Sequence, residues 1–337
     1  MGCKTDSFII YCSGLLNSYH KLTTKALSLA LPLLLCISTC VWAADYNKGW
    51  EQFRDHNYAR AYTEWQPLAQ DGNAKAQYLL GAMYFDGSGV AQDYNRAKYW
   101  YEAAAEQGVA LAEHALGAMY YEGNGVPQNY QKALKFFKVA ARQRYVLSEY
   151  ALGSMHEKGH GVAQNDSKAV HWYQRAAKQG YASAQNNMGI MCYEGRGVAQ
   201  DLKKARHWFK AAAKQNVAES QFILGWMYYK GAGVDKDYAK ARQWFGLSAQ
   251  QGFALAQANL GIMYLKEQGV SRDYKQAFKW LKSAAEQDQG LAQTNLAMMY
   301  IKGLGVQKDN QEAIKWFKRA AEQGVPEARY RLSMMTK

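Results

Sequence analysis

The chain has 337 residues, a formal net charge of +13 at pH 7 and 49% hydrophobic residues. A basic chain attracts acidic proteins, anionic glycans or lipid head groups over long distances, although the ordinary solvated face of a helix, such as the one carrying Lys203 and Lys204, also accounts for part of this charge. Nucleic acid is not an expected partner, because the N-terminal segment has the features of an export signal.

The first 43 residues have the composition of a signal peptide. Lys21 and Lys25 precede an apolar run over 26–37, and Val41-Trp42-Ala43 places small residues at the two positions that a signal peptidase recognises. We therefore predict cleavage after Ala43 and a periplasmic or secreted protein. The apolar run is shorter than the roughly 20 residues of a transmembrane span, so no stable membrane insertion is expected after processing.

Three alternatives stay open for this segment. An uncleaved anchor would keep the apolar run in the membrane. A lipoprotein would be acylated at Cys36 or Cys40, although Leu35 and Thr39 are bulky where a small residue is expected before the acylated cysteine. The stretch before the first basic residues of the signal is long, which favours a natural start downstream of Met1.

Two series of residues recur every 36 positions after this segment, and such a period predicts a solenoid of stacked repeats. The glycine series is Gly81, Gly117, Gly153, Gly189, Gly225 and Gly261, with Ala297 at the seventh position. The aromatic series is Trp100, Phe136, Trp172, Trp208, Trp244, Trp280 and Trp316. Because glycine inside a helix costs roughly 0.5–1 kcal/mol relative to alanine, we expect each glycine to admit the ring of its own repeat's tryptophan, with both series in the core.

Each repeat contains the signals of two helices. Apolar residues at helical spacing over 76–84 predict helix A, Gly87-Ser88-Gly89-Val90 ends it, and the run 96–105 predicts helix B, which ends at Gly108. A short side chain precedes every helix B, where its oxygen can accept a hydrogen bond from an unpaired backbone N–H. These predicted N-caps are Asp93, Asn129, Asn165, Asp201, Asp237, Asp273 and Asp309.

The pattern A-x-x-L-G-x-M-Y-x-x-G-x-G-V, followed by D-Y-x-x-A-x-x-W-[YF]-x-x-A-A-x-Q-G, resembles the Sel-one-like repeat family, a relative of the tetratricopeptide repeats. The resemblance implies an all-α, right-handed α/α superhelical solenoid. Its seven units are 73–108, 109–144, 145–180, 181–216, 217–252, 253–288 and 289–324.

Both ends of the array depart from the repeat pattern. Residues 45–72 match it weakly, because Glu64 replaces the tryptophan, which appears instead at Trp65, so we predict an N-terminal capping helix pair there. Residues 325–337 predict a lone C-terminal capping helix. Within the array, Glu267 replaces the first turn glycine of the sixth unit, so we expect a turn of different shape.

Cysteine usage excludes a disulfide-stapled exported protein of the cysteine-rich branch of this family. Cys192 remains after the predicted cleavage, whereas the other cysteines, namely Cys3, Cys12, Cys36 and Cys40, lie in the segment that would be removed. Cys192 occupies the position of Tyr84 and Tyr120 in sister units, which predicts a buried, inert thiol.

One motif, His156-Glu157-Lys158-Gly159-His160, matches the H-E-x-x-H pattern of zinc hydrolases. That site needs a continuous helix to bring both imidazoles onto one face, whereas Gly159 is a turn glycine that ends helix A. We therefore expect no catalytic residues, no metal and no cofactor.

The resemblance implies that helix A lines a concave face that holds partners. Some tetratricopeptide domains bind a peptide backbone through asparagine, a role that Asn187, Asn259 and Asn295 match in position, and lysines one turn further on favour an acidic or C-terminal peptide across units five to seven. The hypothetical binding residues are Asn187, Ile223, Trp226, Lys230, Asn259, Ile262, Lys266, Asn295, Met298 and Lys302. The alternative is that this stripe is a solvated wall and that the partner docks on loops or on the convex face.

The expected function is an exported, non-enzymatic scaffold or adaptor for protein partners in the bacterial envelope or on host cells, as the resemblance implies. A second reading is a protein that binds peptidoglycan or regulates a cell-wall enzyme. A third, weaker reading is a β-lactamase-like hydrolase, as suggested for some cysteine-rich relatives, although the chain contains no S-x-x-K nucleophile motif.

Overall fold

The computed structural model describes residues 45–335, so the predicted signal peptide and its four cysteines lie outside the described residues. All regular secondary structure within this range is α-helical. The helices are α1 (Tyr46–Arg54), α2 (Tyr58–Gln70), α3 (Ala74–Asp86), α4 (Tyr94–Glu106), α5 (Ala110–Glu122), α6 (Tyr130–Arg142), α7 (Val146–Lys158), α8 (Asp166–Lys178), α9 (Ala182–Glu194), α10 (Leu202–Lys214), α11 (Ala218–Lys230), α12 (Tyr238–Gln250), α13 (Ala254–Lys266), α14 (Tyr274–Glu286), α15 (Gly290–Lys302), α16 (Asn310–Glu322) and α17 (Pro326–Met335).

The helices alternate as predicted, with helix A of repeats one to seven at α3, α5, α7, α9, α11, α13 and α15, and helix B at the helix that follows each. Every helix packs on the next one along the chain, which confirms the all-α solenoid. Helix A also contacts helix A of the next repeat at α9 with α11 and at α13 with α15, and no comparable contact joins two B helices in the described part of the chain. These contacts are those expected if the A helices line the concave face of the stack.

The predicted N-caps of the B helices are confirmed. In each repeat the side-chain oxygen of the capping Asp or Asn accepts a hydrogen bond from a backbone N–H in the first turn of helix B. The capping residue thereby satisfies one of the donors that every helix N-terminus leaves unpaired. The seven B helices consequently begin at the same point of the 36-residue period.

The expected partner of the mid-helix glycines is wrong by one residue. A Cβ on Gly189 would lie 2.5 Å from the ring of Phe209, the residue after Trp208. One residue corresponds to about 100° around a helix, so each tryptophan lies to one side of the glycine contact, between its own helix A and helix B of the preceding repeat. Trp280, for example, is partly buried against the B helix of repeat five and the A helix of repeat six. The tryptophans therefore fill the seams between repeats. The other glycine contacts are Gly81 with Tyr101, Gly117 with Phe137, Gly153 with Tyr173, Gly225 with Phe245 and Gly261 with Leu281.

The same correction explains the N-terminal cap. Trp65 stands 36 residues before Tyr101, in the series that packs on helix A, and its side chain is fully buried against Gly49. Its indole N–H donates a hydrogen bond to the carbonyl of Tyr46 over 3.1 Å. Trp65 is therefore one position out of register with the tryptophan series of the repeats, and it is in register with the residues that pack on the mid-helix glycines.

The turn of the sixth repeat keeps the shape of the others, so the expected departure is wrong. Glu267 ends helix A with φ 56° and ψ 37°, close to the left-handed conformation of Gly231 at φ 76° and ψ 32°. Left-handed backbone costs a residue with a Cβ roughly 1–2 kcal/mol. The repeat stack therefore imposes the turn, and the Glu267 carboxylate pairs with Arg272 over 2.7 Å.

A row of glutamines joins successive repeats. Gln77 of helix A donates to the carbonyl of Ala69 in the preceding helix and accepts from Gln107 at the end of helix B. The same arrangement recurs at Gln185 with Gln215, Gln221 with Gln251, Gln257 with Gln287 and Gln293 with Gln323. Because buried amides without partners are costly, this network fixes the register of neighbouring repeats.

Glutamate replaces the buried glutamine in repeats two and three, with different consequences. Glu149 is fully buried and pairs with Arg175 over 2.6 Å. Glu113 is buried with its Oε2 unpartnered in the described part of the chain. Burial raises the pKa of Glu113, and Arg142 opposes this effect only in part. Glu113 is therefore a poorly satisfied member of an otherwise regular network.

We predict that Glu113→Gln stabilises the protein by roughly 1–2 kcal/mol at pH 7, because it restores the amide network and removes a buried, unpaired acceptor. Since the folded-state pKa of Glu113 is raised, its unfavourable contribution disappears as the pH falls through that pKa. The gain measured by urea unfolding should therefore shrink in acid. Glu149→Gln is the matched control and should destabilise, because it breaks a buried ion pair. Equal effects of the two substitutions would contradict this account.

The neighbouring His114 should titrate in the opposite sense. Its Nδ1 lies 2.9 Å from the Ser148 hydroxyl, and burial lowers the pKa of His114 to about 4. The unfolded state therefore binds the proton more tightly between pH 6.5 and about 4, and stability is lost as the pH falls through this range, by roughly 2–3 kcal/mol. His114→Tyr, which copies Tyr78 and Tyr150 of sister repeats, should remove this component of the urea-unfolding pH profile. An unchanged profile would contradict the assignment.

Candidate functional site

The stripe that the sequence singled out lies on the A helices. Asn187 stands on α9, whereas the other nine residues occupy repeated positions on α11, α13 and α15. Because the 36-residue period is unbroken, equivalent residues of the three helices form rows along the stack. One row is apolar (Trp226, Ile262 and Met298), one has Ile223 followed by two amides (Asn259 and Asn295), and one is basic (Lys230, Lys266 and Lys302).

Asn187 stands apart from these rows. Its side chain lies beside the phenols of Tyr150 and Tyr173 and partly offsets the burial that raises the pKa of each. The Tyr173 hydroxyl donates in turn to Glu157 over 2.6 Å, and Arg196 donates to the same carboxylate over 2.9 Å. Burial and the bond to Glu157 raise the pKa of Tyr173, so it stays a donor. The Asn187 amide is therefore engaged in a polar network that joins repeats three and four.

Asn259 and Asn295 are held by their own helices. The Nδ2 of Asn259 donates to the carbonyl of Leu255 over 2.7 Å, and that of Asn295 to the carbonyl of Leu291 over 2.8 Å. One N–H and the carbonyl oxygen of each carboxamide are left for another partner. Both amides are thus fixed in orientation and still carry a donor and an acceptor.

Trp226, Tyr229 and Lys230 form one unit on α11. The two rings stack with centroids 5.9 Å apart and an interplanar angle of 15°. The Lys230 ammonium lies 4.6 Å from the centre of the Trp226 ring, within the range of a cation–π contact. Trp226 is partly buried against the core of repeats five and six. Its ring therefore packs partly in the core and also contacts the Lys230 ammonium.

Two exposed leucines extend the apolar row, and the sequence analysis missed them. Leu255 is 43% exposed and Leu291 is 61% exposed. They stand at the first position of the same stripe, where repeat one has Lys75 and repeat five has Glu219. The repeat register alone would have identified them, because an apolar side chain replaces a charged one at an outward position.

The last residue of helix A changes sign along the stack. It is acidic in repeats one, two and four and lysine in repeats three, five, six and seven: Asp86, Glu122, Lys158, Glu194, Lys230, Lys266 and Lys302. Glu194 of repeat four forms an ion pair with Arg196 over 2.7 Å. In contrast, no carboxylate of residues 45–335 forms an ion pair with any of the three lysines of repeats five to seven. The concave side is therefore basic and apolar in repeats five to seven.

The repeat sequence matches a known family over most of the chain. The model of the Sel1 repeat matches residues 74–109, 110–145, 146–181, 182–217, 218–253, 254–289 and 290–325. The chain belongs to the Sel1 repeat family. These units are offset by one residue from those read from the sequence, and the predicted resemblance is confirmed. Sel1 repeats form a scaffold that generally mediates protein–protein interactions.

Two solved structures support this assignment. A protective antigen of uropathogenic Escherichia coli strains with an SLR fold is 34% identical, with a TM-score of 0.82; the match covers 86% of this chain and 63% of the antigen. The chain thus spans less than two thirds of that relative. A Sel1 repeat protein from Oxalobacter formigenes is 31% identical, with a TM-score of 0.67, and the match covers 87% and 88% of the two chains. No curated protein matches this chain.

The H-E-x-x-H sequence does not form a zinc site in this Sel1 protein. Helix α7 ends at Lys158, and Gly159 has a left-handed φ of 73°, so the two histidines do not share a helical face. His156 is buried, and its burial lowers its pKa. His160 instead accepts or donates a hydrogen bond with Tyr121 over 2.9 Å and stacks on Tyr130. Within residues 45–335 no cluster of metal-binding side chains occurs.

Cys192 is 2% exposed in the core, and burial raises the pKa of its thiol, which confirms the expected buried cysteine.

Among the described helices, none has the length and apolar character to cross a bilayer.

Proposed function

We propose that this Sel1 protein is an exported, non-enzymatic scaffold whose repeats five to seven hold an acidic peptide segment of a protein partner. The observation that carries this proposal is the row of Lys230, Lys266 and Lys302 beside an apolar row on the same three A helices. Solvated lysines are ordinary on helix surfaces, but here they recur in three successive repeats, where repeats one, two and four have acidic residues, and they form no ion pairs with residues 45–335. A partner that presents carboxylates and apolar side chains matches both rows.

The amides give a reason for an extended segment. Asn259 and Asn295 lie one repeat apart, and each donates the same kind of hydrogen bond to its own helix. Their remaining donor and acceptor suit the N–H and C=O groups of an extended backbone, whatever its side chains. The apolar positions, including the exposed Leu255 and Leu291, supply contact area. Affinity would then come from backbone and apolar contacts, and the preference for acidic segments from the lysines.

The test is a selection of random peptides on the full-length protein, followed by affinity measurements at two salt concentrations. We expect enriched peptides to be acidic and apolar. Lys230→Gln, Lys266→Gln and Lys302→Gln together should weaken binding at least tenfold and reduce its salt dependence. The matched control replaces Lys203, Lys210 and Lys214 of α10 with glutamine, which removes the same charge from helix B and should leave binding intact.

Trp226→Ala provides a second arm, since Ala82 and Ala118 occupy its position in sister repeats. It should weaken peptide binding by an order of magnitude when measured well below its melting temperature, because the ring supports Lys230 and contributes contact area. Peptides without acidic residues, or equal affinity of the lysine and control variants, would sink the proposal. Sedimentation with cell-wall sacculi in the absence of peptide binding would instead favour the peptidoglycan reading.

We also propose that the protein acts in the bacterial envelope or outside the cell. The basic residues, apolar run and small residues of the N-terminal segment support this placement. That a related protein is a protective antigen of uropathogenic Escherichia coli strains is consistent with exposure outside the cytoplasm.

The export proposal predicts a defined mature N-terminus. Mass spectrometry of protein purified from a periplasmic or culture fraction should give Ala44 as the first residue. Ala43→Tyr should block processing and retain the precursor, because a bulky side chain does not fit the signal peptidase. Recovery of the full chain from the cytoplasmic fraction would contradict export, and a lipid-modified N-terminus would favour the lipoprotein alternative.

A further inference from the structure

A groove of about 470 Å³ lies between the B helices of repeats five and six. Its lining includes Arg242 and Gly246 of α12, Tyr264 of α13, and Gln276 and Trp280 of α14. This volume falls within the range of about 300–1,000 Å³ for small-molecule sites. The groove combines two rings with a guanidinium, and it lies apart from the row of lysines on the A helices.

Gly246 opens this groove without any packing need for glycine. Sister repeats have long polar side chains at its position, including Glu102, Gln174 and Lys210. A Cβ built on Gly246 would have no heavy atom within 4 Å. Glycine is unfavourable inside a helix, and here no ring or backbone makes a close approach that would offset this. The effect of Gly246 is to leave space beside Arg242.

The equivalent positions in the first repeat form an ion pair that repeat five does not have. Lys98 occupies the position of Arg242, and Glu102 occupies the position of Gly246. In repeat one these two side chains form an ion pair of 2.7 Å. In repeat five the carboxylate is absent, and the Nε of Arg242 is buried without a hydrogen-bond partner in the described part of the chain. A half-buried guanidinium therefore faces a space that a carboxylate fills elsewhere in the same protein.

A second departure changes the charges that line the same groove. Lys204 and Lys240 pair with the N-cap carboxylates of repeats four and five over 3.2 and 2.9 Å. Gln276 replaces this lysine in repeat six, and the side chain of Asp273 accepts hydrogen bonds from the backbone N–H groups of Lys275 and Gln276. Asp273 is thus occupied as a helix cap at the rim, and Arg242 is the cation among the residues that line the groove.

We propose that this groove binds an organic carboxylate with an apolar or ring-shaped body. The carboxylate pairs with the Arg242 guanidinium in the space left at position 246, a geometry in which arginine can donate two parallel hydrogen bonds. The body of the ligand lies between Tyr264 and Trp280. A free carboxylic acid and the acidic side chain of a protein present the same chemistry to this site.

The test measures binding to the full-length protein by calorimetry and ligand-observed NMR. The free-acid probes are indole-3-acetate and glutarate, with indole-3-acetamide as the neutral counterpart. The protein-type probe is the blocked tripeptide Ala-Glu-Ala, with Ala-Gln-Ala as its counterpart. At least one carboxylate should bind ten times more tightly than its neutral counterpart. Tighter binding of the free acids would identify a small-molecule site, and tighter binding of the tripeptide would identify a protein partner.

Two variants should abolish this binding: Arg242→Gln, which removes the cation, and Gly246→Glu, which supplies the carboxylate from the chain itself. Gln174→Glu is the matched control, because it adds the same charge at the same position of helix B in repeat three, where Val170 replaces the arginine. It should leave binding unchanged. No binding by any carboxylate probe, or binding that survives Gly246→Glu, would overturn the proposal.

A measurement without ligand checks the pairing. Gly246→Ala should raise the melting temperature through helix propensity alone, and Gly246→Glu should raise it further through a new ion pair with Arg242. This excess should vanish in an Arg242→Gln background. Since glutamate is no better a helix former than alanine, an excess that persists in that background, or no excess at all, would contradict the position assigned to the guanidinium.

Discussion

The contact between a mid-helix glycine of helix A and a large side chain of helix B sets the geometry of every repeat. With no Cβ in the way, the ring of Phe209 lies against the backbone at Gly189, and the same contact recurs through the array. This close approach fixes the distance between the two helices. It also turns the adjacent face of helix B, which carries the tryptophan, toward the preceding repeat. The spacing of 36 residues follows, because each unit must present the same two faces to the next.

The glutamine network adds directionality to this apolar stack. Rings and methyl groups tolerate small sliding motions, whereas an amide that must donate to one carbonyl and accept from one neighbouring amide does not. Gln221 meets both requirements, and Glu149 is accommodated because Arg175 supplies its counter-charge. Glu113 shows the cost of a departure with no compensating partner nearby. The stack therefore tolerates variation at a buried polar position only where the next repeat supplies a matching group.

The sequence predicted the features that repeat and missed those that depend on one side chain's direction. Helix order, turns and N-caps follow from local signals that each repeat contains, so seven copies reinforced one another. The assignment of Trp208 rather than Phe209 to the glycine contact was wrong. Both residues are aromatic and recur every 36 positions, so the sequence does not say which of the two side chains faces helix A; that depends on the rotation of helix B about its axis. The shape of the turn at Glu267 was also misjudged, since the stack enforces a left-handed residue that local preference disfavours.

The stripe on the A helices was visible as a pattern, but its internal bonds were not. Asn187 occupies the same repeat position as Asn259 and Asn295. Its side chain lies beside the phenols of Tyr150 and Tyr173, whereas the other two asparagines donate hydrogen bonds to their own helices. Identical residues at equivalent positions thus differ in availability according to what the preceding repeat offers. No single-repeat analysis of the sequence contains that information.

Equivalent grooves near the two ends of the array differ in how many of their polar side chains pair with other groups of the protein. The groove before repeat one corresponds to the one between repeats five and six, and there Tyr62 and Tyr84 are joined by a hydrogen bond of 2.8 Å while Arg96 donates to Tyr84 over 3.2 Å. Those groups therefore pair with one another within that groove. Around repeats five to seven, no carboxylate of residues 45–335 forms an ion pair with Arg242 or with Lys230, Lys266 and Lys302. Since a solenoid derives its stability mainly from its consensus positions, charges outside those positions are free to differ between repeats, and this freedom is the physical basis for proposing external partners for them.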